Sequence, residues 1–363
     1  LWNFQSAAGY RHFTRVLADT QRLSGQLPGI APSAGWGYNW GSGPAWDSFL
    51  IQAPWYVYLY TGDDSSIKEN YPEMLKYMEF CRNMARDNLL YFGLGDWCHH
   101  DRERIADIGI TSSGYYHKNA IIMAKFAELL NYEEDKKYFL TLASDIRNSF
   151  RKKFYHGNGL YGLGEWTALA CAVFQGLANK EEAEKACQRL VELVRLNKHK
   201  ADFGILGAKY VPRVLSDAGY IEDAFLLITQ PEFPGWGHWI QRGAASLWEN
   251  WDGKESRNHI MFGDISAWMY EYLGGVRPTE EAVGFKKIII KPQAVSALNF
   301  IEMTYESKYG LIKSSWQKKN RDFVLQVEIP ENSNADLTMP NGEKYSLNTG
   351  KYELECQLPF SSG

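Results

Sequence analysis

The chain has 363 residues, with 39 basic against 43 acidic side chains, a formal charge of -4, 45% hydrophobic and 23% charged residues. A chain of that length closes a core without cross-links, and its five scattered cysteines, none in a CxxC pair, form neither a zinc framework nor a disulfide scaffold. The near balance of charge offers no field to a polyanion, so nucleic-acid binding is not expected, and no window approaches the roughly 18 unbroken apolar residues of a membrane span.

From the start to about residue 275 the apolar residues recur at three- and four-residue spacing, broken by short Gly, Asn or Asp punctuation. This predicts eleven helices, near 6–24, 44–62, 65–88, 113–132, 134–153, 165–178, 180–195, 206–218, 220–229, 239–250 and 258–275. Thr61-Gly62-Asp63-Asp64-Ser65 and Asn179-Lys180-Glu181-Glu182 are clear stop and start signals, and such short links make the helices they join antiparallel neighbours. Longer loops rich in Gly and Trp, at 25–43, 89–112, 155–164, 196–205 and 230–238, alternate with the tight turns. That alternation suits hairpins arranged radially with the long loops, and function, at one end. After Pro278 the pattern changes to β-branched and aromatic runs, Lys286–Lys291, Phe300–Glu306, Leu311–Trp316 and Phe323–Ile329, with turn signals at Tyr309-Gly310 and Asn341-Gly342. The expected architecture is a mainly α toroid of helical hairpins over residues 1–278, followed by a small antiparallel β-sandwich over 279–363.

Aromatic residues make up 15% of the chain, with 13 Trp, twelve of them before residue 269. A helical core uses aromatics freely; a sugar cleft uses them as stacking faces for pyranose rings. The densest cluster runs from Gly235-Trp236-Gly237-His238-Trp239 through Trp248-Glu249-Asn250-Trp251 to Asn258-His259. A glutamate between Trp248 and Trp251 is expected to be partly desolvated, which suits a general base or acid, so Glu249 is the first candidate for catalysis and Trp248 a candidate for sugar contact. Pairing with Arg242 or capping a helix is the bland alternative for Glu249, and satisfied packing at a helix start is the alternative for His259. A second cluster, Gly95-Asp96-Trp97-Cys98-His99-His100-Asp101, offers a stacking face in Trp97. Consecutive histidines do not readily converge on one ion, so no metal site is expected. A third, Gly43-Pro44-Ala45-Trp46-Asp47, reads as a helix start with a loop-end Trp. Phosphate-binding, dinucleotide-binding and nucleophile-elbow motifs are absent.

The order and spacing of Pro44-Ala45-Trp46, Gly95-Asp96-Trp97, Leu215-Ser216-Asp217-Ala218-Gly219, Leu227-Ile228-Thr229-Gln230 with Pro234-Gly235-Trp236-Gly237, Trp248-Glu249 and Asn258-His259 resemble the α-L-rhamnosidases of glycoside hydrolase family 78. The resemblance covers essentially the whole chain. It implies an (α/α)6 barrel, hydrolysis of terminal α-L-rhamnose with inversion, a carbohydrate substrate and no cofactor. By position it makes Glu249 the general base, lines the rhamnose pocket with Trp46 and Trp97, puts His259 on the sugar and Asp96 beside the pocket. Two departures accompany it. Ser48 stands where many members carry an acidic residue. The family's general acid belongs to a segment upstream of Leu1, and an odd helix count agrees with a missing first helix, so the expectation is a C-terminal portion of a longer enzyme, with Asp96 or Asp101 as the only replacement acids considered. The rivals are another (α/α)6 glycosidase or a polysaccharide lyase, and a non-catalytic carbohydrate-binding relative. The odd cysteine argues slightly against an oxidising compartment, leaving bacterial cytoplasm or periplasm; the sequence carries no signal for oligomeric state.

Overall fold

A computed structural model describes residues 1–359. The helices are α1 (Ala7–Asp19), α2 (Pro44–Asp47), α3 (Phe49–Thr61), α4 (Ser65–Met84), α5 (Ile108–Leu129), α6 (Glu133–Phe154), α7 (Trp166–Phe174), α8 (Lys180–Leu196), α9 (Ile205–Asp217), α10 (Ile221–Thr229), α11 (Trp236–Gln241) and α12 (Ile265–Trp268), the last running into a π-helical turn at Met269–Leu273. Helices α5 and α6 pack as a hairpin, as do α7 with α8 and α9 with α10, while α7 also packs between α5 and α9. The two members of a hairpin differ for a reason visible in their residues. Along α7 every residue from Trp166 to Ala172 is buried, and α5 buries nearly all of Gly109–Ala127; both are rich in small and apolar side chains. Their partners are amphipathic: α6 buries Phe139, Leu142, Ala143, Ile146, Phe150 and Phe154, and α8 buries Ala186, Cys187, Leu190, Val191 and Val194, each at three- and four-residue steps. The longer loops precede the buried member, so they gather where α5, α7 and α9 begin.

The start signals work as their chemistry requires. Asn179 and Glu182 form a reciprocal capping box at α8, and the Asp107 carboxylate accepts from Gly109 N at 2.6 Å at the start of α5. Within α5, His117 is buried with Nδ1 2.9 Å from the Gln175 carbonyl, and burial pushes its imidazole down to about 4. An unfolded chain binds a proton there near pH 6.5 and the folded chain does not, so stability rises with pH across that window and is lost as pH falls through it. A His117→Gln variant is expected to reduce the loss of stability between pH 7 and pH 4.5 by roughly 2 kcal/mol, read as a flatter dependence of the denaturation midpoint on pH; a slope equal to that of the parent would remove His117 from the acid response.

Contacts group the chain into two units: Tyr10–Trp55 with Ser65–Asp264, and Leu1–Gly9 with Tyr56–Asp64 and the described residues from Ile265 onward. The second unit holds the strands β1 (Val276–Pro278), β2 (Lys287–Ile290), β3 (Phe300–Ser307), β4 (Gly310–Lys319), β5 (Asp322–Ile329), β6 (Asn334–Thr338), β7 (Lys344–Leu347) and β8 (Gly350–Gln357). They form two four-stranded sheets, β1-β2-β6-β7 and β3-β4-β5-β8, antiparallel throughout except for the parallel pair β2 and β6. Alternation sets the register: Phe323, Leu325, Val327 and Ile329 of β5 face inward and the residues between them do not. Trp2 and Tyr60 join the same apolar cluster as Phe285, Ile312, Trp316 and Leu325, with the Trp2 indole stacked on Tyr270 at 5.0 Å, so two segments distant in sequence complete this core. Among the described residues no helix is long and apolar enough to cross a membrane.

The predicted helix at 239–250 is corrected: α11 covers only Trp236–Gln241, and Gly243, with φ of 77°, turns the chain out of it. The predicted helix at 258–275 is likewise confined to Ile265–Leu273. Between them lies an irregular loop, and its indoles explain why no helix is needed there.

Candidate active site

Residues 242–264 are held by tryptophan side chains bonding to backbone carbonyls. Trp236 Nε1 donates to Phe262 O at 3.1 Å, Trp239 Nε1 to Trp251 O at 2.9 Å and Trp251 Nε1 to Phe203 O at 2.9 Å. The rings of Trp236, Trp239, Trp251, Phe203 and Phe262 pack edge-on or tilted at 4.3–6.4 Å between centroids. A buried non-helical backbone has no partners of its own for its carbonyls; here indole N–H groups supply two of them, and a third indole ties the loop to the Phe203 carbonyl. Across this aromatic floor the chain folds back on itself. Glu249 N donates to Ser256 O at 2.8 Å, Ser256 N to Glu249 Oε2 at 3.3 Å, and His259 N to Leu247 O at 2.8 Å. The backbone therefore brings Glu249 and His259 onto the two limbs of one hairpin, both half-buried. His259 stands in irregular backbone, not at a helix start as expected.

Trp248 is placed differently from its expectation. It is buried, Gly253 lies directly against its ring where any Cβ would collide at 2.4 Å, and the guanidinium groups of Arg257 and Arg242 sit 4.8 and 5.6 Å from its centroid. That indole is covered on its faces and positions the Glu249 hairpin instead of offering a stacking surface; Arg242 sits with Trp248 and donates to Asp252 O.

Asp96 is wholly buried and both its oxygens are engaged. Oδ2 accepts from Thr167 Oγ1 at 2.5 Å and Gly204 N at 2.8 Å; Oδ1 accepts from Leu206 N at 2.8 Å and Gly207 N at 3.1 Å. The carboxylate caps α9 from another loop, because Gly204 at the head of that helix has no side chain to do so. A Cβ at Gly204 would stand 2.2 Å from the Trp97 carbonyl, and Ile205 N donates to that carbonyl at 2.9 Å. Asp96 thus has no free oxygen for a sugar, a correction to its candidacy as a sugar-binding residue, and the same bonds take it out of the role of replacement acid. Its neighbour Trp97 has a clamped backbone and a ring 39% exposed. The adjoining Cys98 thiol is pushed up to about 12, first by burial and then by the charge of Glu249. Trp46, half-buried in α2, follows Gly43, whose backbone meets Gly93 so closely that a Cβ there would lie 2.5 Å from the Gly93 Cα. Asp47 turns inward to cap its own helix, accepting from Gly43 N at 2.9 Å and Ser42 Oγ at 3.2 Å.

Sequence reasoning missed Asp202. Potential ligand atoms of His99, His100 and Asp202 lie within 4.8 Å of one another, which adjacent histidines alone do not achieve. Asp101 N donates to His99 Nδ1 at 3.0 Å, so the neutral ring carries its proton on Nε2, which faces Asp202 Oδ1 at 3.7 Å; Arg104 holds Oδ2 at 2.5 Å. A metal-bound Nε2 needs the opposite tautomer, and the donor set fits an ion-pair tie between two loops better than a metal centre. Asp101 itself caps the short 3-10 turn at Arg102–Arg104. The signal for Asp202 was its place one residue before the Phe203 carbonyl that anchors Trp251, legible only once the loops are together.

Helical hairpins with the Glu249 hairpin built over buried indoles, followed in sequence by a two-sheet β-domain, define a hairpin-and-sandwich architecture. Residues 1–273 match the bacterial alpha-L-rhamnosidase 6 hairpin glycosidase domain and residues 275–361 the bacterial alpha-L-rhamnosidase C-terminal domain. The chain belongs to the bacterial α-L-rhamnosidase family. Alpha-L-rhamnosidases of Alteromonas sp. (strain LOR) and Formosa agariphila are 28% and 27% identical to it over 350 and 347 residues, 90% and 91% of this chain but 38% and 37% of theirs. The solved alpha-L-rhamnosidase of Dictyoglumus thermophilum superposes with a TM-score of 0.89 at 27% identity, covering 98% of this chain and 44% of that one; the Aspergillus terreus enzyme, at 22% identity and a TM-score of 0.90, shares the fold. The chain spans less than half the length of these relatives.

Proposed function

We propose that the protein containing this chain removes terminal α-L-rhamnose from a glycan or glycoside with inversion, Glu249 acting as general base. The observation that carries the reading is the pairing of residues 247–249 with 256–259, which sets Glu249 and His259 on facing limbs of one hairpin, while Trp251 of that hairpin and the Trp97 carbonyl are both bonded to the segment 203–205. Ser256 N–H holds Oε2 of Glu249 and fixes the carboxylate. Its other oxygen takes the proton of a water as that water attacks the anomeric carbon, while Trp97 and Trp46 stack on the sugar and His259 bonds a hydroxyl. Inversion uses a second carboxyl, about 6.5–9.5 Å from the first, to protonate the leaving oxygen. With Asp96 fully engaged and Asp101 capping a turn, we assign that proton to neither, in keeping with an acid contributed from outside residues 1–363. The relatives named as alpha-L-rhamnosidases support the substrate. Proton NMR of the first turnovers tests it: β-L-rhamnose is expected to accumulate before mutarotation, and α-L-rhamnose as first product would replace inversion by retention.

A further inference from the structure

We propose that the outer face of β3, β4 and β5 carries a second carbohydrate-binding cleft, built from Phe300, Glu302, Ser315, Gln317, Val324 and Gln326, which holds a neutral, hydroxyl-rich glycan and takes no part in catalysis. The class of ligand follows from the lining of the cleft; the rhamnose in it is taken from the rhamnosidase reading above.

Strand register builds the cleft. Glu302, Ser315 and Gln326 stand opposite one another across the three strands, and Phe300, Gln317 and Val324 form the next row on the same face. Residues directly opposite stand about 5 Å apart, so the two rows make one patch. The residues between them, among them Met303, Trp316 and Leu325, point the other way into the core. The shortest side chain sits in the middle. Ser315, between the longer Glu302 and Gln326, leaves a dip, and all six residues line a single cleft of about 160 Å³.

One atom on the floor of that cleft is unused by the fold. By alternation Ser315 belongs to the outward face, yet it is only 7% exposed, because its taller neighbours rise around it. Its hydroxyl has no hydrogen-bond partner among the described residues, which is uncommon for a buried polar group and is relieved by a ligand hydroxyl. The strand beneath is fixed from behind: Ser314 Oγ donates to Gly274 O at 2.7 Å and Trp316 Nε1 to Leu273 O at 2.8 Å. On the cleft side Gln326 Nε2 donates to Glu353 Oε2 at 2.8 Å, which orients the amide.

The lining chooses the occupant. Phe300, 65% exposed, and Val324 give one small apolar patch, far short of what an apolar protein partner covers. No lysine or arginine lines the cleft, and Lys313 and Lys319 stand one row out on either side, opposite Glu328 and Asp322 in register, so an anion finds no counter-charge. A divalent cation takes several oxygen ligands, and Glu302 is the single carboxylate of the lining. A pyranose meets every group: its CH face covers Phe300, and its hydroxyls bond the Glu302 carboxylate, the Gln317 and Gln326 amides and the Ser315 hydroxyl.

The test uses the full-length protein that carries this chain. In a Glu249→Gln background, where the polymer is not consumed, affinity electrophoresis in gels containing a soluble neutral rhamnan measures retention. Phe300→Ala and Gln317→Ala are each expected to weaken it about fivefold or more, and Phe300→Trp to retain it. Ser315→Ala is expected to weaken it about threefold while leaving the melting temperature unchanged or higher, since it removes a hydroxyl that the fold does not use. With Glu249 in place, the same substitutions are expected to leave hydrolysis of an aryl α-L-rhamnoside within about twofold of the parent. Retention equal to the parent's in Phe300→Ala and Gln317→Ala overturns the cleft and leaves the rhamnosidase reading intact. Retention that requires added calcium also overturns it, in favour of a cation site. A parallel loss of aryl rhamnoside hydrolysis overturns it as well, because this face would then serve the fold or catalysis. A parent that hydrolyses no aryl rhamnoside, while its retention still depends on Phe300, keeps the cleft and overturns the rhamnosidase reading.

Discussion

Replacing Glu249 by Gln is expected to lower kcat for an aryl α-L-rhamnoside by about 10²–10⁴-fold in the full-length protein while leaving L-rhamnose affinity within about twofold. Gln has the shape of Glu, and its carbonyl oxygen still accepts from Ser256 N–H, so the 247–259 hairpin and its aromatic floor persist. What disappears is the group that takes a proton from the attacking water, an interaction made in the transition state and absent from sugar binding. Steady-state kinetics beside calorimetry separates the two. Turnover at the parental rate would dismiss Glu249 as the base, and loss of both turnover and binding with an unchanged melting temperature would make it a sugar ligand instead.

Asp96→Ala is expected to destabilise the fold by about 4 kcal/mol, the largest effect of any single substitution in this region, because it strands Thr167 Oγ1 and the N–H groups of Gly204, Leu206 and Gly207 in a buried site at roughly 1 kcal/mol or more apiece. Burial raises the Asp96 carboxyl, while these four donors pull it back toward the ionised form. Asp96→Asn keeps the size but turns one donor toward other donors, and is expected to fall between parent and Ala. Because Trp97 shares the junction with α9, surviving folded protein should bind L-rhamnose more weakly in proportion to the loosened loop. Chemical denaturation measures the first effect; an unfolding free energy within about 0.5 kcal/mol of the parent would show that the α9 cap is dispensable.

Most of the helical frame was legible because it rests on local rules. The spacing of Phe139, Leu142, Ile146 and Phe150 marks an amphipathic helix, and Asn179 with Glu182 marks where another begins. Those residues act on neighbours within one or two turns, so the sequence window contains the cause. Strands β2 to β5 were legible for the same reason, through β-branched and aromatic runs and the turn at Gly310, whereas β1, β6, β7 and β8 were not marked beyond the turn at Gly342. The helices expected at 239–250 and 258–275 failed where the cause is not local: two carbonyls of that stretch accept from the indoles of Trp236 and Trp239, and its own Trp251 indole donates to the Phe203 carbonyl, some 48 residues away.

By itself the sequence determined the order of elements, the concentration of Trp in the helical half, and Glu249 and Trp97 as the groups to examine. Only the tertiary structure decided which tryptophans were floor and which were surface, because burial depends on what another loop places over a ring. It also turned Asp96 from a pocket residue into the cap of α9. A carboxylate beside a tryptophan reads the same in sequence whether it faces a sugar or four N–H and O–H donors brought from more than 70 residues away, and the pairing energy of those donors settles the matter only once the chain has folded.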